Sequence, residues 1–335
     1  MIFRQRADFM GGTELTRLRL VLAAMLLALA GPAASETPRL VIAAQTSGTV
    51  NWELQTILRN GLDRANGFEL VVMDVAGSPA AQVAFQGGEA DVIVSDWIWV
   101  ARQKAEGADI AFLPYSRAVG GIMVPGDSEA QSLADLAGAK IGIAGGPLDK
   151  SWLILRARAA MDGLDLEKET EQVFGAPPLI YQTGLAGDLG ATVNFWHFMA
   201  KQEAAGMRLL MSVDEAAADL GLDPDLPLLG YVVRESLVAE NPELVEGLAG
   251  ASRQAKDLLA ESDAEWELVR PQMNAETDAE FEALKAGFRA GIPGDEPVDE
   301  ASASAMLELM ARLGGGELVG QATTLPAGVF VQPGS

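Results

Sequence analysis

The 335-residue chain has no cysteine and one histidine, His197. The first absence excludes disulfides, thiolate nucleophiles and cysteine-ligated metal sites. The second excludes a multi-histidine metal centre and leaves little for histidine-based catalysis. Basic residues are scarce too: 24 Lys and Arg face 47 Asp and Glu, a net charge of −23. Such a surface repels nucleic acid and anionic membranes, and no stretch gathers Lys or Arg into a patch. It does not fix the sign of a ligand, because a recessed site feels its own few groups more than the distant surface. The phosphate-loop pattern G-x-x-x-x-G-K-[ST] is absent, as are G-x-S-x-G and H-E-x-x-H. Acidic clusters at 162–171 and 295–300 lack the D-x-D-x-D spacing of a calcium loop and read as solvated faces. No cofactor or metal is expected.

The N-terminus is the one strongly apolar stretch. Arg17 and Arg19 precede 11 apolar residues, Leu20 to Ala30, followed by Gly31-Pro32 and the small residues Ala33-Ala34-Ser35. This reads as a secretory signal peptide, residues 1–35, cleaved near Ser35. The run is too short for a stable membrane anchor. A periplasmic product follows, expected to be monomeric. Residues 1–35 carry Arg4, Arg6, Arg17 and Arg19 against Asp8 and Glu14, so the mature chain stands at −25.

With aromatics at only 6%, each of the six tryptophans is informative, and four of them fall in a repeat. GEADVIVSDWIWVARQKAEG (88–107) aligns without a gap on GDLGATVNFWHFMAKQEAAG (187–206), pairing Trp97 with Trp196 and Gln103 with Gln202. Upstream, 40–58 aligns on 139–157, pairing Ala44 with Ala144 and Trp52 with Trp152. Two matches in the same order at offsets of 99 and 100 imply two similar lobes.

Each half has the same grammar. A short apolar strand (40–44; 140–144) enters a glycine-containing loop, and a helix begins near the tryptophan. Strands at 69–73 and 90–94 follow in the first half and 191–194 in the second, so strand and helix alternate as in a parallel α/β sheet. The Gly-interrupted apolar runs 118–124 and 227–233 read as two extended crossings that form a hinge. Beyond Asn241-Pro242 the pattern predicts helices over 242–259, 263–272, 278–289 and 297–312, started by an N-cap, Pro at N1 and acid in the first turn. These are expected to pack on the first lobe.

Four stretches stand out together: the strand–Gly loop–helix at 40–58, Gln86-Gly87-Gly88-Glu89-Ala90-Asp91-Val92, Leu133-Ala134-Asp135-Leu136-Ala137-Gly138-Ala139-Lys140-Ile141-Gly142, and Asn241-Pro242-Glu243-Leu244. In these the chain resembles the periplasmic solute-binding proteins of ABC importers, within the family serving sulfonate, nitrate, taurine and thiamine-precursor uptake. The resemblance covers about residues 38 to 260. It implies a two-lobed α/β fold of the type II, two-crossing kind, each lobe a parallel-rich sheet flanked by helices. Lobe 1 would be 36–120 plus 228–335, and lobe 2 would be 121–227. It implies capture of a small anionic, zwitterionic or aromatic organic solute by hinge closure, with an inner-membrane ABC permease as partner and no enzymatic activity. Two alternatives remain open. Some solute-binding-like proteins serve quinoprotein alcohol dehydrogenases as accessory proteins, and some relatives of the fold are enzymes, for which His197 would be the candidate base.

In open α/β sheets ligands lie outside the carboxyl ends of strands, near helix N-termini. The candidate site residues there are Thr49, Asn51, Trp52, Ser78, Ser95, Asp96 and Trp97 from the first half, and Lys150, Ser151, Trp152, Asn194 and Trp196 from the second. Free N–H groups at helix starts suit an anionic head, whereas Asp96 and the indole faces suit an ammonium. The bland alternatives are ordinary N-capping by Thr49, Ser78 and Asp149, and packing of the indoles under the sheet edge. The loop Gly145-Gly146-Pro147-Leu148-Asp149-Lys150 departs from the Ser/Thr-rich loop usual in the family, which argues against a sulfonate.

Overall fold

RLVIAAQ, apolar through its middle, forms the first strand, β1 (Arg39–Gln45), of a computed structural model that describes residues 37–331 apart from Ser47 and Asp295. The signal peptide expected over 1–35 lies outside the described residues. Helix α1 (Val50–Asn60) follows and stops at Gly61, whose φ of 64° is the left-handed turn that glycine adopts without strain. Then come α2 (Leu62–Ala65), β2 (Glu69–Val75), α3 (Ser78–Gln86), β3 (Val92–Asp96), α4 (Trp97–Ala105) and β4 (Ala111–Ser116). The chain crosses to a second sheet with β5 (Gly121–Val124) and β6 (Lys140–Ala144), then α5 (Lys150–Met161), α6 (Leu166–Glu169) and β7 (Glu171–Gly175). The second sheet continues through α7 (Pro177–Leu185), β8 (Ala191–Asn194), α8 (Trp196–Ala204), β9 (Arg208–Ser212) and α9 (Val213–Asp219). The chain returns with β10 (Leu229–Val233) and ends in helices α10 (Glu235–Glu240), α11 (Pro242–Glu261), α12 (Asp263–Val269), α13 (Asp278–Ala290) and α14 (Glu300–Val319).

The strand orders are β2-β1-β3-β10-β4 and β7-β6-β8-β5-β9. In each sheet three parallel strands (β2, β1, β3; β7, β6, β8) are joined by an antiparallel one, β10 or β5. The two sheets therefore have the same topology, and the tryptophans paired in the sequence repeat sit at the same places. Trp97 and Trp196 begin α4 and α8 just past β3 and β8, while Trp52 and Trp152 lie in the first turns of α1 and α5.

Two expectations need correction. The apolar runs 118–124 and 227–233 are not crossings throughout. Most of each is a central antiparallel strand, covered on both faces, which is why it is apolar without alternation. The sheets are parallel-rich, as expected, with one antiparallel strand set into each, and the actual crossings are the short segment 117–120 and the stretch after β9. At Gly120 any Cβ would collide with the Asn194 carbonyl, so the first crossing can press against β8 only as glycine.

The C-terminal helices also reach further than expected. Helices α11 and α12 pack on α1 of the first sheet, but α13 packs against α8 and α14 touches both α4 and α5. Apolar side chains explain this. Trp196 of α8 joins the Trp52–Trp266–Phe288 cluster, and Met306 and Met310 of α14 line a small cavity with Ile98 of α4 and Ile154 of α5.

One charged group is wholly inside the first sheet's core. Glu53 of α1 is 0% exposed, ion-paired with Lys256 Nζ at 2.6 Å, and accepts a hydrogen bond from the Tyr231 hydroxyl at 2.7 Å. Burial and the Glu53 charge push the Tyr231 hydroxyl well above its ordinary pKa, so it stays a donor.

Candidate ligand-binding site

The carboxyl end of β3 meets the start of α5, the helix that follows β6, and an ion pair spans this seam between the two halves. Asp96, the last residue of β3, meets Lys150, the first residue of α5, with Nζ 2.9 Å from Oδ2. Asp96 is held in place from its own side, since Oδ1 caps α4 by accepting from the Trp99 N–H at 2.8 Å. Asp149 caps α5 in the same way, accepting from the Trp152 N–H at 3.1 Å. Burial pushes Asp149 up to about 6, against the pull of that hydrogen bond and of Lys150, with Asp96 adding to the rise. For Lys150, burial alone would lower the pKa; the Asp96 carboxylate, with Asp149 behind it, overrides burial and raises it.

The first sheet adds a neutral polar cluster. Gln45 Nε2 donates to Ser78 Oγ at 2.8 Å, and Asn51 Nδ2 donates to the Gln45 carbonyl. Asn51 Oδ1 is buried with no hydrogen-bond partner among the described residues. Neither Thr49 at the start of α1 nor the Gly77-Ser78 start of α3 makes a side-chain capping hydrogen bond. The helix starts thus differ: α4 and α5 are capped by carboxylates, while α1 and α3 are not.

The remaining candidates are dispersed. Ser95 lies in β3 opposite Gly230, and Ser151 sits in the first turn of α5 beside the crossing at Gly120. Asn194 is 1% exposed and fully used in the second sheet, donating to the Pro177 carbonyl and accepting from the Phe195 N–H. Trp97 and Trp152 are core residues, enclosed on all sides; Trp97 packs on Phe330 with centroids 5.8 Å apart. Trp52 and Trp196 are brought together from the two halves, edge to face at 5.9 Å.

His197 stands among the rings of Phe195, Trp196 and Phe198. Burial and the Lys201 ammonium lower it to about 4, so it is neutral near pH 7.

Sequence reasoning missed the groups on α13. Glu280 accepts from the Tyr181 hydroxyl at 3.4 Å and pairs with Lys201 at 3.8 Å, tying α7 and α8 to the C-terminal helices. The only signal was an unremarkable acid in the first turn of an expected helix.

A family model described as NMT1/THI5 like matches residues 60–265. The chain belongs to the NMT1/THI5-like family. No curated protein sequence matches it. Among solved structures, the NMT1/THI5-like chain is similar to the periplasmic aliphatic sulphonate binding protein SsuA from Escherichia coli, at 16% identity and a TM-score of 0.67, covering 86% of this chain and 97% of that one. It is also similar to the alkanesulfonate-binding protein SsuA from Xanthomonas axonopodis pv. citri bound to MOPS (20% identity, TM-score 0.62, 90% and 98% covered). A third is the ligand binding component of an ABC-type import system from Staphylococcus aureus with zinc bound (13% identity, TM-score 0.66, 88% and 97% covered). At these identities the likeness establishes the periplasmic-binding-protein fold. The ligand has to be argued from this chain's own seam.

Proposed function

We propose that this chain is the periplasmic substrate-binding component of an ABC importer, capturing a small organic solute between its two sheets. The Asp96–Lys150 pair supports this most directly, because it places opposite charges from both halves at the strand ends where ligands of open α/β sheets lie. The lobes are 36–120 plus 228–335 and 121–227, and they close about the crossings that precede β5 and β10. The closed pair of lobes is the surface offered to an inner-membrane permease. The sulfonate and import roles named for the similar structures agree with this reading, as does the family. The monomer is the working unit, and no catalysis is assigned. His197, neutral and set among aromatic rings, makes a poor general base partner.

One observation favours a second reading. The seam is already bridged by Trp52 with Trp196 and by Glu280 with Tyr181 and Lys201, as in a rigid accessory protein of a quinoprotein alcohol dehydrogenase. A thermal-shift screen of residues 36–335 separates the two. The panel holds sulfonates, carboxylates, quaternary amines, pyrimidines and aromatic acids. A true ligand at 100 times its Kd adds about 2.7 kcal/mol of stability. A rise with one class supports the receptor, and silence across the panel moves the assignment to the accessory protein.

A further inference from the structure

The charges at the seam are unequal. Lys150 Nζ lies 2.9 Å from Asp96, and Asp149, the residue before Lys150, caps the same helix, so two carboxylates stand to one ammonium. A cavity of about 30 Å3 that Lys150 helps to line, room for little more than one water, has Asp214 and Asp223 in its wall. Arg117, whose charge acts on Asp214, is engaged by Asp225. An anion arriving here would have to draw Lys150 away from Asp96 and would leave that carboxylate unpaired beside Asp149. It would also find the N-termini of α4 and α5 already occupied by those same two carboxylates. A cation meets the opposite situation. Asp96 is fixed by its strand and by its hydrogen bond to Trp99, whereas Lys150 is held at its head by Asp96 and carries a flexible four-carbon stem beside a small cavity.

We propose that the solute recognised at this seam carries an ammonium group, alone or as the cationic end of a zwitterion, received by Asp96 in the place where Lys150 Nζ lies. Lys150 is then an internal occupant that the solute displaces, and Asp96 is the specificity residue. This rests on the reading of the seam as a solute site and narrows it to solutes with a cationic group.

Calorimetric titration of residues 36–335 with ethanolamine, β-alanine and methanesulfonate tests the assignment. The proteins are wild type, Asp96→Asn, Lys150→Met and Lys150→Arg. Asn retains the helix cap, so Asp96→Asn removes the charge while preserving the turn. The proposal expects ethanolamine or β-alanine, whose primary ammonium can donate as Lys150 Nζ does, to bind wild type. Lys150→Met should tighten that binding by about tenfold or more, because the competitor for Asp96 is gone, and Asp96→Asn should weaken it by about as much. Lys150→Arg should stay near wild type. Methanesulfonate binding that Lys150→Met abolishes would overturn the ammonium assignment while leaving the receptor reading standing. Silence of both ammonium probes on wild type and on Lys150→Met overturns the assignment as well, and silence of the wider solute panel then removes the receptor reading with it.

Discussion

Trp52 and Trp196 meet edge to face across the seam, ring planes 87° apart, one indole contributed by each half of the sequence repeat. Trp196 also lies over Gly287 of α13, where an added Cβ would come within 2.8 Å of its ring. The contact thus depends on a glycine in the middle of a helix, a residue that weakens a helix by about 1 kcal/mol relative to alanine.

Gly287→Ala therefore carries two opposed effects, a gain in helix propensity and a clash with the indole. The clash is expected to win, lowering stability by about 1–2 kcal/mol in urea denaturation. In a Trp196→Ala background the same substitution should become stabilising, a sign reversal that a double-mutant cycle reads directly. Stabilisation by Gly287→Ala in the otherwise unaltered chain would show that the contact does not form in solution.

The Glu53–Lys256 pair makes a second prediction. Lys256→Met strands a carboxylate that is 0% exposed, with only the Tyr231 hydroxyl left to it, and should cost about 3–5 kcal/mol. Changing Glu53 to Gln in that variant removes the stranded charge and should restore part of the loss. If the double variant is less stable than Lys256→Met alone, the pair is not what Lys256 supports.

Asp149 and His197 tilt stability with pH in opposite directions. Asp149, raised from 3.8 to about 6, holds a proton when folded that it has lost when unfolded, so its contribution falls as pH rises from about 4 to 6. Asp149→Asn keeps the cap and removes the buried charge. It should exceed wild type by about 1 kcal/mol at pH 7.5 and match it near pH 4, as denaturation at the two pH values would show.

His197, lowered from 6.5 to about 4, is neutral when folded while the unfolded chain takes up a proton, so its contribution is lost as pH falls from 6.5 toward 4. It is the chain's single histidine, and one pair of imidazole NMR signals should titrate near 4. A midpoint at 6 or above would mean that the ring is open to solvent.

Much of this architecture was legible in the chain. The paired alignments around Trp52 and Trp152 and around Trp97 and Trp196 mark the two like-built halves, because a repeated strand–loop–helix unit repeats its apolar spacing. Strands β4, β7 and β9 were not anticipated. RLLMS of β9 follows the turn at Gly206 but is only five residues long and opens on Arg208, and EQVFG of β7 lies against an acidic run. The fate of the indoles was not legible either. All four begin helices at strand ends, and what decides their surroundings is distant chain: Phe330 covers Trp97, while Phe288 and Gly287 sit against Trp52 and Trp196. For the polar candidates, Asp96 and Lys150 were each visible as strand-end charges, but their pairing depends on how two helix starts meet across the seam.

Hydrogen exchange with and without the solute that gives the largest thermal shift tests the central claim most directly, that the seam between the sheets is the solute site. The account predicts slowed exchange on both sides together, at the starts of α1, α3 and α4 and at the start of α5, with little change in α11 and α12. Protection confined to one sheet, or found only in the outer helices, would contradict it.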